Sequence, residues 1–291
     1  MIFIFRWLSY FPLVWLHRFG VVGGWLSWLF SPTYRRYMRE NLVQALGEKG
    51  YRRVRCAAIA NAGKTSFELP KIWLRPHQEV ASRVVEISGW DLIESARSEG
   101  KGIVFVTGHL GCFEMAAQYL STRVPMTVLY RPPKRAWMQT LVEMGRIRGD
   151  KLRIAATDLA GVKTLMKALR RGEPIGLLSD QAPRNGEGCW LDFFDRPAYT
   201  MTLAARLSEL NVAVIMLYVE RLPRGAGYHL RMQAPLQPVA GTTQERAQQI
   251  NHEIERMIRQ CPEQYLWSYN RYKRPRGVEA PPDKVTTTAR Y

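Results

Sequence analysis

His109 and Glu114 stand five residues apart in GHLGCFE, residues 108 to 114. An imidazole is the usual general base near neutral pH. A carboxylate on one ring nitrogen fixes its tautomer and stabilises the imidazolium, which frees the other nitrogen to take a proton from a hydroxyl. On one continuous helix the two residues would lie about 140° apart around the axis, so the pair needs a bend between them. Gly111 permits one. A helix starting near 112, with Phe113, Ala116, Ala117 and Leu120 as its buried stripe, would let Glu114 fold back from its first turn onto His109. The same helix end would offer N–H groups and a positive dipole end to developing negative charge. With five histidines and 25 acids in 291 residues, the spacing alone is expected by chance about 0.4 times, and a satisfied core histidine is the competing reading. Position separates His109 from the other four histidines: its block GHLGCFE comes just after the apolar run IVFV, 103 to 106. Cys112 beside it reads as a small packed thiol rather than a covalent nucleophile.

Four further residues are candidates for substrate binding. Arg131 and Lys134, in YRPPK, follow the apolar run 126 to 130; a guanidinium fork or an ammonium there can hold phosphate. Asp180 follows the run 175 to 178 and is read either as positioning the site or as capping a turn. Arg196, in FFDRPAYT, is a candidate like Lys134, each weighed against an ordinary solvated charge. The run Arg271, Lys273, Arg274 and Arg276, interleaved with Tyr269 and Tyr272, suits a lipid headgroup or an acidic protein surface. Nucleic acid is disfavoured, because the amino terminus looks membrane-seeking.

These residues need elements to hold them. Helical spacing covers 34 to 75, with Pro70 and Pro76 at its end. Beyond it, short apolar runs at 103–106, 126–130, 175–178 and 212–219 alternate with helical stretches near 113–121, 136–148, 158–171, 200–210 and 243–260. Alternation of this kind predicts an α/β fold, with a mostly parallel or mixed central sheet flanked by helices. In such a sheet, sites are built at the carboxyl ends of strands, where His109, Arg131 and Asp180 all fall. No G-x-x-x-x-G-K-[ST] phosphate loop occurs, which argues against a nucleotide-driven enzyme. Four scattered cysteines suggest neither a disulfide framework nor a zinc site.

Residues 2 to 30 are almost continuously apolar and carry four of the nine tryptophans. Arg6, His17 and Arg18 interrupt the stretch, so two short interfacial helices are expected rather than one bilayer span, which wants about 20 apolar residues. No basic region precedes the run and no A-x-A-like site follows it, unlike a secretory signal. Arg35, Arg36 and Arg39 favour an anionic cytoplasmic leaflet. The expected organisation is therefore a membrane-associating segment, 1–30, a catalytic domain, 31–278, and a disordered tail, 279–291. A hydrophobic fraction of 46% excludes a disordered chain, and a net charge of +17 calls for an anionic partner.

The blocks GHLGCFE, YRPPK, DQAP (180–183), FFDRPAYT and PEQYLWSYNRYKRPRG (262–277) together resemble, in order, those of the lipid A biosynthesis acyltransferases within the lysophospholipid acyltransferase superfamily. The His109-x4-Glu114 block resembles the H-x4-[DE] signature, with Cys112 and Phe113 where many relatives carry Asn-Trp. The resemblance implies a glycerolipid-acyltransferase-like fold and transfer of a fatty acyl group from acyl-acyl carrier protein to a hydroxyl of a phosphorylated glycolipid at the cytoplasmic face of the inner membrane. In that scheme His109 is the general base, Glu114 its orienting partner, and no metal or resident cofactor is needed. The alternatives are acylation of another lysophospholipid or glycolipid from acyl-CoA, and a non-catalytic membrane-peripheral protein.

Overall fold

The computed structural model describes residues 2–130, 136–146 and 151–282. Arg131 and Lys134 lie outside them, as does the tail beyond 282. The amino-terminal third is helical: α1 (Ile2–Ser9), α2 (Leu13–Phe30), α3 (Pro32–Leu74) and α4 (His77–Ala81). The Ser31 side chain accepts the Tyr34 N–H, and Pro32 follows it in the first turn of α3, an arrangement that satisfies an orphan donor and presets φ. Gly47, at φ 69°, interrupts α3, and Pro70 lies within this helix instead of ending it. The turn carrying Pro70 is held from outside, because Ile72 and Trp73 beside it are buried; that packing offsets the backbone bond a proline forfeits.

The expected 1–30 segment forms α1 and α2, and α2 lies closely along α3. Glycines make the approach possible: a methyl at Gly63 would collide with the Gly20 carbonyl, and one at Gly24 with the carbonyl of Ile59. Leu13, Leu16, His17, Gly20 and Gly24 form the buried side of α2. Much of the rest of the pair faces outward, with Phe3 83% and Phe30 80% exposed and Trp7, Trp15, Val22, Leu26 and Leu29 also exposed. Among the described residues, no helix is long and apolar enough to cross a membrane.

The remainder is β1 (Val84–Ser88), α5 (Asp91–Ser98), β2 (Gly102–Thr107), α6 (Phe113–Leu120), β3 (Met126–Tyr130), α7 (Ala136–Arg146), β4 (Leu152–Ala156), α8 (Leu159–Arg170), β5 (Pro174–Leu178), β6 (Gly188–Asp192), β7 (Pro197–Met201), α9 (Leu203–Leu207), β8 (Val212–Arg221), β9 (Tyr228–Gln233) and α10 (Thr243–Gln260). Seven strands form a mixed sheet in the order β1-β9-β8-β2-β5-β3-β4, and β6 with β7 makes a separate hairpin. Within the large sheet only the β8–β9 pair is antiparallel.

β2 is buried along its whole length, and its side chains alternate between two cores. Val104 and Val106 pack on one face with residues of α3, α8, α9 and α10; Ile103 and Phe105 pack on the other with residues of α5, α6 and α7. Helices on both faces explain why this strand reads as an unbroken apolar run. The chain completes β3, β4 and β5 on one side of β2 and then crosses to β8 on its other side. Such a reversal opens a crevice at the carboxyl end of the strand between.

Candidate active site

Two loops meet in that crevice. β2 and β5 are parallel neighbours with Thr107 opposite Leu178, and the Ser179 N–H continues the ladder to the Thr107 carbonyl at 3.0 Å. Two residues further along each chain, His109 and Asp180 face one another. Asp180 takes the His109 backbone N–H at 2.9 Å on one carboxylate oxygen and His109 Nδ1 at 2.8 Å on the other. Asp180 is buried, at 2% side-chain exposure, whereas the His109 side chain keeps 18%.

Burial alone would raise the Asp180 carboxyl, but the charge of the His109 ring, its two hydrogen bonds and the Tyr265 hydroxyl together bring it below the ordinary aspartate range. An ionised carboxylate only accepts, so the proton shared with it sits on Nδ1 of His109. The lone pair is then left on Nε2, which is the tautomer a general base needs. In the structure the Gln181 amide nitrogen stands 3.2 Å from that Nε2. Phe113 closes one side of the imidazole, edge to face at 4.8 Å between centroids.

Glu114 was expected on one ring nitrogen of His109; the carboxylate on Nδ1 is that of Asp180. The bend does form: Gly111 takes a left-handed φ of 61° and α6 begins at Phe113. From the first turn of α6, however, the buried Glu114 carboxylate receives Trp73 Nε1 of α3 at 3.1 Å. Strand register brings Asp180 to the ring, and the helix start carries Glu114 towards α3. Cys112 is buried. Burial, with the Glu68 charge adding to it, pushes its thiol well above the usual range, so a thiolate nucleophile is disfavoured there.

The loop is braced from the carboxyl-terminal block. Gly111 N–H donates to Gln264 O and Leu266 N–H to His109 O, each at 3.0 Å, and Leu110 bridges Tyr265 as in a short antiparallel pair. Tyr265 and Trp267 are buried, and Asn41 of α3 donates to the carbonyls of Trp267 and Tyr269 at 2.7 Å each. The PEQYLW string therefore serves as a strap over the loop that carries His109. Its basic continuation divides. Arg271 is buried, donating to Tyr199 O and Thr200 Oγ1, so it joins the strap to β7 instead of meeting a lipid or protein surface as expected. Lys273, Arg274 and Arg276 remain exposed. Arg196 sits in the turn of the β6–β7 hairpin, exposed and stacked on Tyr272 at 4.3 Å; among the described residues no hydrogen bond or ion pair joins it to His109 or Asp180.

A cavity of about 610 Å³ adjoins the segment after Gln181. Its walls are mostly apolar, from Leu129 on β3, Val162 and Met166 on α8, and Leu203, Leu207 and Leu210 on and after α9; Arg184, Glu187 and Arg206 supply charge.

Residues 1–274 match the sequence profile of the bacterial lipid A biosynthesis acyltransferases. The chain belongs to that family. It is 29% identical over 274 residues to the lipid A biosynthesis lauroyltransferase of Escherichia coli K12, covering 90% of this chain and 87% of that protein. It is 26% identical over 220 residues to the lipid A biosynthesis palmitoleoyltransferase of the same organism, covering 74% and 70%. The lipid A biosynthesis acyltransferase of Shigella flexneri matches to the same extent as the latter. The family match bears out the resemblance drawn from the five blocks, and the mixed sheet with helices on both faces bears out the expected fold class. The signal that could have singled out Asp180 was its place two residues past the end of its own apolar run, close to the three residues that separate His109 from its run; nothing in the sequence states that these two strands are neighbours.

Proposed function

We propose that this family member transfers a fatty acyl group from acyl-acyl carrier protein to a hydroxyl of a phosphorylated lipid A precursor at the cytoplasmic face of the inner membrane. The observation that carries the reading is the His109–Asp180 pair in the crevice, with Nδ1 held by a buried carboxylate and Nε2 facing the Gln181 side chain. His109 Nε2 takes the proton of the acceptor hydroxyl as its oxygen attacks the thioester carbonyl; the tetrahedral intermediate collapses, the pantetheine sulfur leaves, and the proton passes from the imidazolium to that sulfur. Asp180 holds the tautomer and balances the imidazolium charge. Three loop amides are already engaged, His109 with Asp180, Gly111 with Gln264 and Cys112 with Val219. The N–H groups next in line for the oxyanion are those of Phe113 and Glu114, at the positive end of α6. Glu114 is assigned a supporting role at that helix end, where a buried carboxylate suits the dipole.

The apolar cavity takes the acyl chain in this scheme, which its volume and lining suit. Arg131 and Lys134 remain candidates for the acceptor phosphates and Arg196 for the acceptor or the carrier protein; the net charge of +17 favours both anionic partners. The exposed apolar side chains of α1 and α2 support seating at a membrane surface.

The test is acyl transfer by the purified protein, with acyl-acyl carrier protein and acyl-CoA offered separately to a lipid A precursor and to a lysophospholipid, products weighed by mass spectrometry. Acylated lipid A precursor from the carrier-protein donor is expected, with turnover in His109→Ala lower by about 10² to 10⁴. Product only on lysophospholipid, or only from acyl-CoA, or undiminished turnover in a folded His109→Ala protein, overturns the reading.

A further inference from the structure

A buried ionic cluster lies behind the catalytic loop, and the proton transfer just described does not use it. Arg221 ends β8 at 4% exposure, and Glu68, at 1%, projects from α3. The guanidinium Nε stands 2.9 Å from one Glu68 oxygen, and Nη2 stands 2.6 Å from the other. The same Nη2 donates to Thr65 Oγ1 and to the Gly111 carbonyl, each at 2.8 Å. Glu68 also receives the Tyr228 hydroxyl at 3.1 Å and faces His17 Nε2 of α2 at 3.4 Å. Burial would raise the Glu68 carboxyl, yet Arg221 chiefly, with His17, brings it down to about 2. The pair is therefore ionised at neutral pH.

Stability does not explain why an ion pair is kept here, because well-packed apolar residues often replace buried pairs at no loss. Geometry does. Gly111 is the left-handed turn on which the path from β2 into α6 depends, and any side chain at this position would collide with the Val219 carbonyl. The turn's amide is held by Gln264 O, and Cys112 N–H is held by Val219 O at 2.7 Å. Its carbonyl is held by Arg221, whose own N–H goes to Gln264 Oε1 at 2.8 Å. A planar fork with five donors can serve Glu68, Thr65 and Gly111 together in fixed directions, which the single ammonium of a lysine does not impose.

We infer that Arg221, locked by Glu68, is a positioning residue for the catalytic reaction: it fixes the Gly111 turn and with it the direction of His109, and so ties the α2–α3 helical pair to the active-site loop. This rests on the acyl-transfer reading above for its kinetic arm only. In Glu68→Leu/Arg221→Met the charges leave together and the volume stays, but the Gly111 carbonyl loses its donor. Amide exchange over 109–113 is expected to accelerate while exchange over 103–106 in β2 stays slow. Misplacement of the base should lower kcat by about ten-fold or more, with KM for the acyl donor within about two-fold. If that double variant does not fold, Arg221→Lys keeps the buried charge paired but lacks the fork, and the same changes are expected at smaller size. A folded variant with unchanged exchange overturns the bracing. Faster exchange with unchanged kcat overturns the positioning. If the wild-type protein transfers no acyl group to any acceptor offered, the acyl-transfer reading fails, and the exchange arm still decides whether Arg221 holds the turn.

Discussion

At the residue scale, the division of labour between the two carboxylates is the point most open to test. Asp180 holds Nδ1 of His109 and its backbone N–H, whereas Glu114 meets Trp73 at the start of α6. Asp180→Asn leaves the shape intact but replaces an obligate acceptor by an amide that can present its N–H₂ to Nδ1 and invert the tautomer. Turnover is expected to fall by about 10² to 10⁴, and the Nδ1 and Nε2 ¹⁵N shifts of His109 should report the exchange of roles. Glu114→Gln keeps an acceptor for Trp73 and is expected to cost less than Asp180→Asn, a ranking read from kcat. Equal or greater loss in Glu114→Gln would return the orienting role to Glu114. His109 was legible because an apolar run ends three residues before it. Asp180 remained ambiguous between a site and a turn cap, since the contact that decides it joins strands about seventy residues apart in sequence.

At the element scale, the strands that sequence reading found are those buried on both faces, β2, β3, β5 and β8, which appear as continuous apolar runs. β1 (VVEIS), β4 (LRIAA) and β9 (YHLRMQ) were missed. They lie at or near the sheet's margins, where one side of the strand is wet and charged residues interrupt the pattern. The expected helix 200–210 shrinks to α9, because Pro197–Met201 is claimed by the β6–β7 hairpin through cross-strand pairing that local periodicity does not encode. That hairpin and α9 help shape the cavity after Gln181. The cavity prediction belongs here, since its walls come from several separate elements. Enlarging Val162 to Phe or Leu203 to Trp takes up room that a chain would fill. Each methylene denied burial is worth about 0.8 kcal/mol, so two of them lower transfer of the longest accepted chain by roughly ten-fold. The product spectrum, measured with a mixture of acyl donors, should move towards shorter chains while total turnover on the shortest is kept. An unchanged spectrum in a folded variant would place the acyl chain elsewhere.

At the scale of the whole molecule, exposed apolar side chains and basic groups lie on consecutive helices, and on the proposed reading both meet a membrane surface. α1 and α2 turn Phe3, Trp7, Leu26, Leu29 and Phe30 outward, and the helix that follows carries exposed Arg36, Arg39, Lys49, Arg52 and Arg53. Attraction of the basic groups to anionic lipid weakens as salt rises; insertion of the apolar side chains does not. The two contributions can therefore be separated on one instrument, by sedimenting the protein with anionic and with neutral vesicles across a salt series. Wild-type protein should bind anionic vesicles at low salt and retain a salt-resistant fraction on both. In Phe3→Ser/Phe30→Ser, where both rings are already exposed and the fold should be undisturbed, the salt-resistant binding is expected to weaken by at least about ten-fold, because each ring is worth about 1.5 to 3 kcal/mol on full burial. The salt-dependent part should remain. Changing Arg36, Arg39 and Arg52 together to Gln should do the reverse. Because α2 also reaches the loop through His17 and Glu68, a protein that keeps both contributions but loses the seating of α2 on α3 would bind vesicles normally and turn over poorly. Substituting Gly63 by Val, whose side chain would strike the Gly20 carbonyl, is the variant in which that separation should be seen, and a fully active Gly63→Val protein would show that the seating of α2 on α3 does not steady the active site.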